Sequence, residues 1–252
     1  IDVFLLLDVC NLMAEEDLKP SRLEKAKNDI EIMLKKMAGD RIGMIIFAGQ
    51  SYLQFPLTLD HSIGKLILST IDIGSIPQQG TDIAGAMELA IKSFSASTNK
   101  GKAVIIFSDG ENHEKGAEDA IKEAAGEGIR VYTVALGSPE RSKIPIYSGD
   151  MVTGYKVDGM GEEVVTKVDE TMLKKLASSG GGQFFRSDDN SEYLVKLYDE
   201  ISSIEKSEFG TFKVVEYEEV FHWFLFPAIV LLFAEFFIRD RRKLKVNNDD
   251  KQ

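Results

Sequence analysis

The chain has 252 residues, of which 44% are hydrophobic and 28% are charged, and its formal net charge is −11. This composition is that of a globular protein and excludes a disordered, collagen-like or low-complexity chain. The acidic balance argues against nucleic acid as the main partner, because phosphate binding needs a basic surface. The single cysteine, Cys10, excludes an internal disulfide and any zinc site built from several cysteines.

The first two hundred residues alternate strand-like apolar runs with helical patterns. Strands are predicted at 3–7, 41–47, 103–107, 130–136 and 183–186, with an edge partner at 51–57. Helices are predicted at 21–37, 60–69, 82–94, 117–125, 171–177 and 191–204. Buried strands separated by helices predict an α/β fold with a doubly wound, mostly parallel, Rossmann-like sheet covered on both faces.

Two segments depart from this alternation. Residues 138–168 contain short alternating runs and a Gly149-Asp150 turn, which predict a small β-hairpin insertion. Residues 205–219, EKSEFGTFKVVEYEE, are typical of an acidic juxtamembrane linker with one short strand at 212–215.

A C-terminal transmembrane helix is predicted at 220–238, VFHWFLFPAIVLLFAEFFI, where His222 and Glu235 are the polar members. A helix of this length spans about 28 Å, close to the thickness of the hydrocarbon core of a bilayer. The alternative is a buried core helix, which such an all-round apolar pattern disfavours.

The charge that follows this run predicts the orientation of the chain. The tail at 239–252 carries a net charge of +3, which leaves −14 for the residues before it. By the positive-inside rule the tail is cytoplasmic, so residues 1–219 are expected in the periplasm of a bacterium. The expected localisation is therefore the bacterial inner membrane.

Ligands of parallel sheets bind beyond the carboxyl ends of the strands. The residues at these positions are Asp8, Cys10, Gly49, Asp109 and Gly137. Two acids, Asp8 and Asp109, together with the hydroxyl of Thr81 could supply the oxygen ligands that Mg²⁺ prefers. The alternative is that Asp109 only forms a turn with Gly110 and that Asp8 only caps a loop.

The motifs at these positions resemble those of the von Willebrand factor A (vWA) domain. Its metal-ion-dependent adhesion site uses Asp-x-Ser-x-Ser after the first strand, a threonine from a later loop and an aspartate after a central strand. The corresponding segments here read DVCNLM at 8–13, GTD at 80–82 and FSDG at 107–110.

Further motifs resemble the bacterial Bat (aerotolerance-operon) family, in particular its BatB-like members. They are AEEDLKPSRL at 14–23, GDRIG at 39–43, FAG at 47–49, PLT at 56–58, QGTDI at 79–83, SDGENHE at 108–114 and GGG at 180–182. The resemblance covers essentially the whole chain, and the motifs occur in the order of the family.

The resemblance implies two transmembrane helices ahead of residue 1 and a domain outside the cytoplasm. It also implies a metal site at Asp8, Thr81 and Asp109, but Cys10 and Leu12 stand where the family has serines. A thiol is a poor ligand for Mg²⁺ and Leu12 is no ligand. Two interpretations therefore stay open. Either the degenerate site still binds Mg²⁺, the ion that the resemblance implies, or the chain is a metal-free interaction domain.

The predicted function is that of a membrane-anchored adaptor that docks partner proteins through the strand-end loops. The residues expected to contact the partner are Asn11, Gly49, Gln50, Ser51, Asp82 and Glu111. The family resemblance implies other Bat-family membrane proteins and a MoxR-type AAA+ ATPase as partners, together with membrane lipid, in stress or oxygen tolerance. Nucleic acid is not an expected partner.

The competing function is a metal-dependent hydrolase that uses Asp8 and Asp109 as acid and base. His113 is the histidine that the strand map places near these acids, and the sequence contains no nucleophile elbow or phosphate-binding loop. Family members are not known as enzymes, so no catalytic residue is assigned.

Cys10 has two interpretations. A redox sensor needs an exposed thiol of low pKa, whereas the neighbouring acids at 8 and 15–17 are expected to raise the pKa. A small buried side chain is therefore the expected role of Cys10.

Overall fold

The structure, a computed structural model, describes residues 1–94, 101–111, 116–138 and 168–209. It also describes the backbone at 142–143, 145–148, 151–155, 165–166, 225–227 and 231. The chain divides into two compact units, Ile1–Thr211 and Phe212–Gln252.

Ten strands are described. They are β1 (Asp2–Asp8), β2 (Arg41–Phe47), β3 (Ser51–Thr58), β4 (Lys102–Ser108), β5 (Ile129–Ala135), β6 (Ser142–Lys143), β7 (Pro145–Ser148), β8 (Met151–Tyr155), β9 (Val165–Thr166) and β10 (Gly181–Arg186). Six of them form one sheet in the order β10-β5-β4-β1-β2-β3. All neighbours are parallel except the edge strand β3, which runs antiparallel to β2.

The described helices cover both faces of this sheet. They are a short 3-10 helix (Asn11–Ala14), α1 (Arg22–Lys36), α2 (His61–Thr70), α3 (Ile83–Phe94), α4 (Ala117–Gly126), α5 (Glu170–Ser179) and α6 (Tyr193–Phe209). Side chains of α1, α2 and α6 share one apolar core with the sheet, and those of α3 and α4 share another with its opposite face. The doubly wound α/β architecture is therefore confirmed.

The burial of β1 explains why its sequence is apolar without alternation. Every residue from Asp2 to Asp8 is buried, because helices cover both faces of this central strand. Local capping agrees with the sequence as well: the Ser21 hydroxyl accepts a hydrogen bond from the Glu24 amide at 3.2 Å at the start of α1. Asp60 and Asp169 cap α2 and α5 in the same way.

Several predicted boundaries were wrong, among them the start of strand β10 and both ends of helix α6. Strand β10 begins at Gly181 rather than at residue 183, because the glycines belong to the strand. A Cβ atom at Gly182 would lie 2.3 Å from the carbonyl oxygen of Val131, so only glycine permits the approach of β10 to β5. Helix α6 begins at Tyr193 rather than at residue 191, and it extends to Phe209 rather than ending at residue 204.

The segment after β5 contains the antiparallel pairing that its alternating sequence predicts. β7 pairs with β8, and β6 pairs with β9. In the second unit, residues 225–227 and 231 are helical. The rest of the predicted span at 220–238, the linker strand at 212–215 and the tail at 239–252 lie outside the described residues. Within the part of the chain that is described, no helix has both the length and the apolarity needed to cross a bilayer.

A buried polar node centred on Asp29 fastens α1 to the start of α6. One Asp29 oxygen accepts hydrogen bonds from Lys25 Nζ at 2.7 Å and Ser191 Oγ at 2.5 Å. The other accepts from Ser187 Oγ at 2.9 Å and from the Tyr193 hydroxyl at 2.7 Å. Burial raises the pKa of Tyr193 well above its ordinary value, and the adjacent charge of Asp29 adds to this.

We predict that Asp29→Ala lowers the free energy of unfolding by about 3–5 kcal/mol, because it leaves Lys25 buried without its carboxylate. Chemical denaturation measures this loss. Asn28→Ala, at an exposed position one residue earlier on the same helix, is the matched control and should leave the midpoint almost unchanged. Equal effects of the two changes would contradict the role of this node.

Candidate functional site

Asp8 is the last residue of β1, and its carboxylate is completely buried. One of its oxygens accepts a hydrogen bond from the Cys10 amide at 2.9 Å, and the other accepts from Ser108 Oγ at 2.7 Å. Because Ser108 ends the neighbouring strand β4, this second bond joins the ends of the two central strands. The local turn and the sheet together therefore determine the orientation of the Asp8 carboxylate.

Asp109 directly follows β4 and is also completely buried. Its Oδ1 accepts a hydrogen bond from the Glu111 amide at 2.9 Å, and its Oδ2 accepts from Arg22 Nη1 at 3.1 Å. The predicted turn with Gly110 is present, and Gly110 has a φ of +73°. Asp109 nevertheless does more than form this turn, because its carboxylate also faces Asp8.

Three predicted residues meet at this edge of the sheet. Ligand atoms of Asp8, Cys10 and Asp109 all lie within 4.8 Å of one another. Cys10 is 5% exposed, so the expectation of a buried cysteine is confirmed. Burial, followed by the charges of Asp8 and Asp109, raises the pKa of its thiol.

Arg22 provides positive charge beneath the two carboxylates. Its side chain is completely buried, and its Nε and Nη2 donate to the two oxygens of Asp17 at 2.9 and 2.8 Å. Asp17 also accepts a hydrogen bond from the Ser138 amide at 2.7 Å. Gly137, with a φ of +125°, makes room for the guanidinium, because a Cβ atom there would lie 2.6 Å from Arg22 Nε.

Burial, hydrogen bonds and neighbouring charges have opposing effects on the pKa values of the cluster. Burial raises the pKa of Asp8 to about 6, although the hydrogen bonds from Ser108 and Cys10 act against it. Burial and then the charge of Asp8 raise the pKa of Asp109 to about 7. Burial also disfavours ionised Arg22, but the hydrogen bonds and charge of Asp17 outweigh it, so the pKa of Arg22 is raised.

Hydrogen bonds tie the loops that surround the cluster to one another. The Asn11 amide donates to Gln79 Oε1 at 2.9 Å, which joins the loop after β1 to the loop before α3. The Asp82 amide donates to the Ala48 carbonyl at 2.6 Å, which joins the start of α3 to the end of β2. Thr81, 1% exposed, lies in the loop that this bond holds. Leu12 packs partly buried against the apolar core and offers no ligand atom.

The residues expected to contact a partner differ in their exposure. Asn11 and Gln50 are exposed, whereas Gly49 is buried in the turn between β2 and β3. Glu111 is half-buried beside Asp109. A shallow groove of about 320 Å³ brings three predicted residues together with parts of β3 and α3; its lining residues are Gln50, Ser51, Tyr52, Asp82, Gly85, Glu88, Leu89 and Lys92.

Ser51 has an unusual polar environment in this groove. Its Oγ is buried and has no hydrogen-bond partner among the described residues. An unsatisfied buried hydroxyl costs free energy unless a ligand or water supplies the partner. Ser51 is therefore an unsatisfied buried hydroxyl within the lining of the groove.

Sequence reasoning missed Arg22, Asp17 and Ser108 as parts of the site. A signal for Arg22 exists: it precedes Ala26 by four residues, on the stripe of α1 that also carries Ile30 and Met33 in the core. A charged residue on an apolar stripe needs a buried partner. Its position does not identify the partners, which here are Asp17, five residues away, and Asp109, 87 residues away.

Comparison with known proteins agrees with this geometry. The family model for the von Willebrand factor type A domain matches residues 3–111. The crystal structure of the conserved hypothetical protein BatB from Bacteroides thetaiotaomicron has 38% identity and a TM-score of 0.76, and the match covers 82% of this chain and 99% of that one. An aerotolerance-related membrane protein from Bacteroides fragilis NCTC 9343 has 36% identity and a TM-score of 0.74, over 81% of this chain and 99% of that one.

A more distant relative is longer than this chain. An uncharacterised protein of Borreliella burgdorferi is 24% identical over 93% of this chain and 67% of its own length. For a UPF0353 protein of Mycobacterium, the match covers 58% of that protein. A manganese-loaded TRAP protein of Plasmodium vivax, 12% identical with a TM-score of 0.54, shares the fold alone.

The wound sheet, with its buried acids beyond β1 and β4, defines a protein of the von Willebrand factor A class. Sequence identities of 38% and 36%, each over 99% of a solved relative, identify the family within this class. The chain belongs to the Bat family of vWA-domain proteins and is BatB-like.

We predict that Arg22→Met lowers the free energy of unfolding by about 3–5 kcal/mol, because it leaves Asp17 and Asp109 buried without their cation. Chemical denaturation in the presence of chelator measures this loss. Lys122→Met is the matched control: Lys122 pairs with Glu118 at the surface of α4, so its removal should barely move the midpoint. If Arg22→Met lowers the stability no more than Lys122→Met does, the guanidinium does not stabilise the buried acids.

A second prediction concerns pH. An unfolded aspartate loses its proton near pH 4, whereas folded Asp8 keeps it to about pH 6, so this group makes stability fall as pH rises from about 4 to 6. Asp8→Asn removes this contribution. The unfolding free energy of the variant minus that of the wild type should therefore increase by about 2 kcal/mol as the pH is raised from 4 to 7. Denaturation in chelator at several pH values measures the difference; a constant difference would contradict the assignment.

Proposed function

We propose that this chain is a membrane-anchored interaction protein whose vWA domain docks partner proteins through the loops at the carboxyl edge of its sheet. The observation that carries the proposal is the groove at the start of β3, where Ser51 lies opposite Phe47, the β2 neighbour of Asp8 in the sheet. Its residues Gln50, Ser51 and Asp82 adjoin the loop that holds Thr81, and the Asp82–Ala48 hydrogen bond links that loop to the strand next to Asp8. We propose binding rather than catalysis as the use of this edge.

The surface around the groove combines polar groups with one exposed aromatic ring, so it suits a partner that offers hydrogen bonds and an apolar side chain. Gln50 is exposed and its Oε1 accepts a hydrogen bond from the Tyr52 hydroxyl at 2.6 Å, while Tyr52 itself is 47% exposed. Asp82 uses one carboxylate oxygen to accept from the Gly85 amide at the start of α3. Ser51 Oγ adds a hydroxyl that lacks a partner among the described residues. Tyrosine side chains are enriched in protein interfaces.

A divalent cation fits this edge. Asp8 and Asp109 are buried close together, and the nearby guanidinium is already shared with Asp17. Such a cation would be held by Asp8, Asp109 and Thr81, and it would offer an open coordination position to an acidic group of the partner. A TRAP protein that shares the fold is named as manganese-loaded, which is consistent with proposing a divalent ion here.

We further propose that residues 220–238 cross the inner membrane, with the tail at 239–252 in the cytoplasm and the vWA domain in the periplasm. The support is the 19-residue apolar run and the net charge of +3 that follows it. One solved relative is named a membrane protein. In this arrangement the anchor holds a docked partner at the membrane.

The two expected protein partners belong on opposite sides of the membrane. Other Bat-family membrane proteins would meet the groove in the periplasm. A MoxR-type AAA+ ATPase uses ATP, so we assign its contact to the cytoplasmic side, where the basic tail lies. Both assignments place the protein in a complex for stress or oxygen tolerance, as the aerotolerance-related name of the B. fragilis relative suggests.

Site-directed crosslinking in spheroplasts tests docking and orientation together. Gln50→Cys places a thiol on the groove, and Glu127→Cys places one at the opposite edge, just before β5. Cys10 is buried and should not react. We expect a membrane-impermeant thiol reagent to label both variants, and a crosslinker to join a Bat-family protein to the Gln50→Cys variant at least tenfold more than to the control.

The outcomes separate the parts of the proposal. If neither introduced thiol reacts until the membrane is opened, the periplasmic placement is wrong. If both react but capture the partner equally or not at all, docking through the groove is wrong. Turnover of a substrate by the purified chain would contradict a function limited to binding.

A further inference from the structure

We infer that the cluster of Asp8, Cys10 and Asp109 selects a thiophilic divalent cation of the zinc type in preference to Mg²⁺. This inference rests on the proposed docking site and names the ion that the site takes. It follows from the position of the thiol, from the oxygens that remain available and from the charge of the surroundings.

The geometry places sulfur among the ligands. Cys10 Sγ and one oxygen each from Asp8 and Asp109 are mutually within 4.8 Å. Tetrahedral zinc with bonds of about 2.0–2.3 Å separates its ligand atoms by about 3.3–3.8 Å. A contraction of about 1.5 Å or less, within the reach of side-chain rotation, would therefore close the cluster on an ion.

The donor types favour zinc over magnesium. Mg²⁺ requires near-octahedral oxygen coordination, and the thiol occupies a position where an oxygen would be needed. Leu12 packs against the core and supplies no further oxygen. Zinc binds a cysteine as its thiolate, so the Cys10 proton would be released to solvent as the ion binds. Zinc also binds carboxylate and water readily, and sites with three protein ligands keep a fourth position open. That open position is the one that docking of an acidic partner group requires.

The hydrogen-bonded carboxylate oxygens of Asp8 and Asp109 keep lone pairs that can coordinate an ion. Asp8 is oriented by the Cys10 amide and by Ser108 Oγ, and Asp109 by the Glu111 amide and by Arg22. Each carboxylate oxygen has two lone pairs, so an oxygen that accepts one of these hydrogen bonds can still coordinate a metal. Such outer contacts fix the orientation of metal ligands.

The charge of the surroundings favours a cation. Besides Asp8 and Asp109, the carboxylates of Asp17 and Glu15 lie near the guanidinium of Arg22. Arg22 contributes a single positive charge, and two of its N–H groups are committed to Asp17. A divalent cation would offset the negative charge that remains around the buried pair.

The test uses the full chain in mild detergent, stripped of metal with chelator, and Co²⁺ as a spectroscopic probe for zinc. We expect Co²⁺ to produce a thiolate-to-cobalt charge-transfer band, Zn²⁺ to remove it at stoichiometric concentration, and millimolar Mg²⁺ to leave it intact. Cys10→Ser replaces the thiol with a hydroxyl of similar size. This variant should lose the band, and its preference for zinc over magnesium should fall at least tenfold.

Leu12→Ser is the second variant, since it keeps the thiol and adds a hydroxyl. It should retain the band and bind Mg²⁺ more tightly than the wild type does. Absence of the band in the wild type, its displacement by Mg²⁺ as readily as by Zn²⁺, or a zinc preference that Cys10→Ser leaves unchanged would each overturn the inference.

Crosslinking from Gln50→Cys in spheroplasts, carried out beside the metal titrations of the purified chain, distinguishes the two proposals. Partner capture that persists while the zinc preference fails would overturn the choice of ion and leave docking supported. A zinc preference that holds while capture fails would overturn docking and leave the ion assignment supported.

Discussion

The candidate site depends on how two neighbouring buried carboxylates, Asp8 and Asp109, are held at the end of a parallel sheet. Burial disfavours the charge of both, and the charge of Asp8 further disfavours that of Asp109, so their pKa values rise to about 6 and 7. Arg22 offsets part of this cost, but Asp17 holds two of its N–H groups. The fold thus maintains an electrostatic imbalance at one point, and a cation would relieve it.

Strand pairing and loop hydrogen bonds connect the buried acids to the surface of the domain. Parallel strands bring the ends of β1 and β4 together, and Ser108 joins them by a hydrogen bond to Asp8. The amides of Asn11 and Asp82 tie the surrounding loops to one another. A change in charge at the acids therefore lies within a few bonded contacts of the groove that contains Ser51. This continuity is the reason why we propose that the acids and the groove act together in docking.

Much of the fold could be predicted because its signals are local. Apolar runs marked the core strands of the sheet, and Ser21, Asp60 and Asp169 occur as helix caps where short-range hydrogen bonding favours them. Predictions failed where a distant part of the chain decides the outcome. The glycines at 181–182 belong to a strand because β5 approaches them closely, and no neighbour in sequence indicates that approach.

The same distinction applies to the site. The sequence by itself determined that Asp8 and Asp109 follow the apolar parts of two strands and that an apolar run precedes a basic tail. The resemblance to the vWA domain identified Cys10 and Leu12 as replacements for hydroxyl ligands, and the sheet topology showed that the two strands are neighbours. Tertiary structure alone decided that Arg22 reaches Asp109 across 87 residues and that Tyr193 reaches Asp29 across 164. The reason is physical: hydrophobic periodicity specifies which face of an element is buried, whereas the partner of a buried charge is specified by the packing of elements distant in the chain.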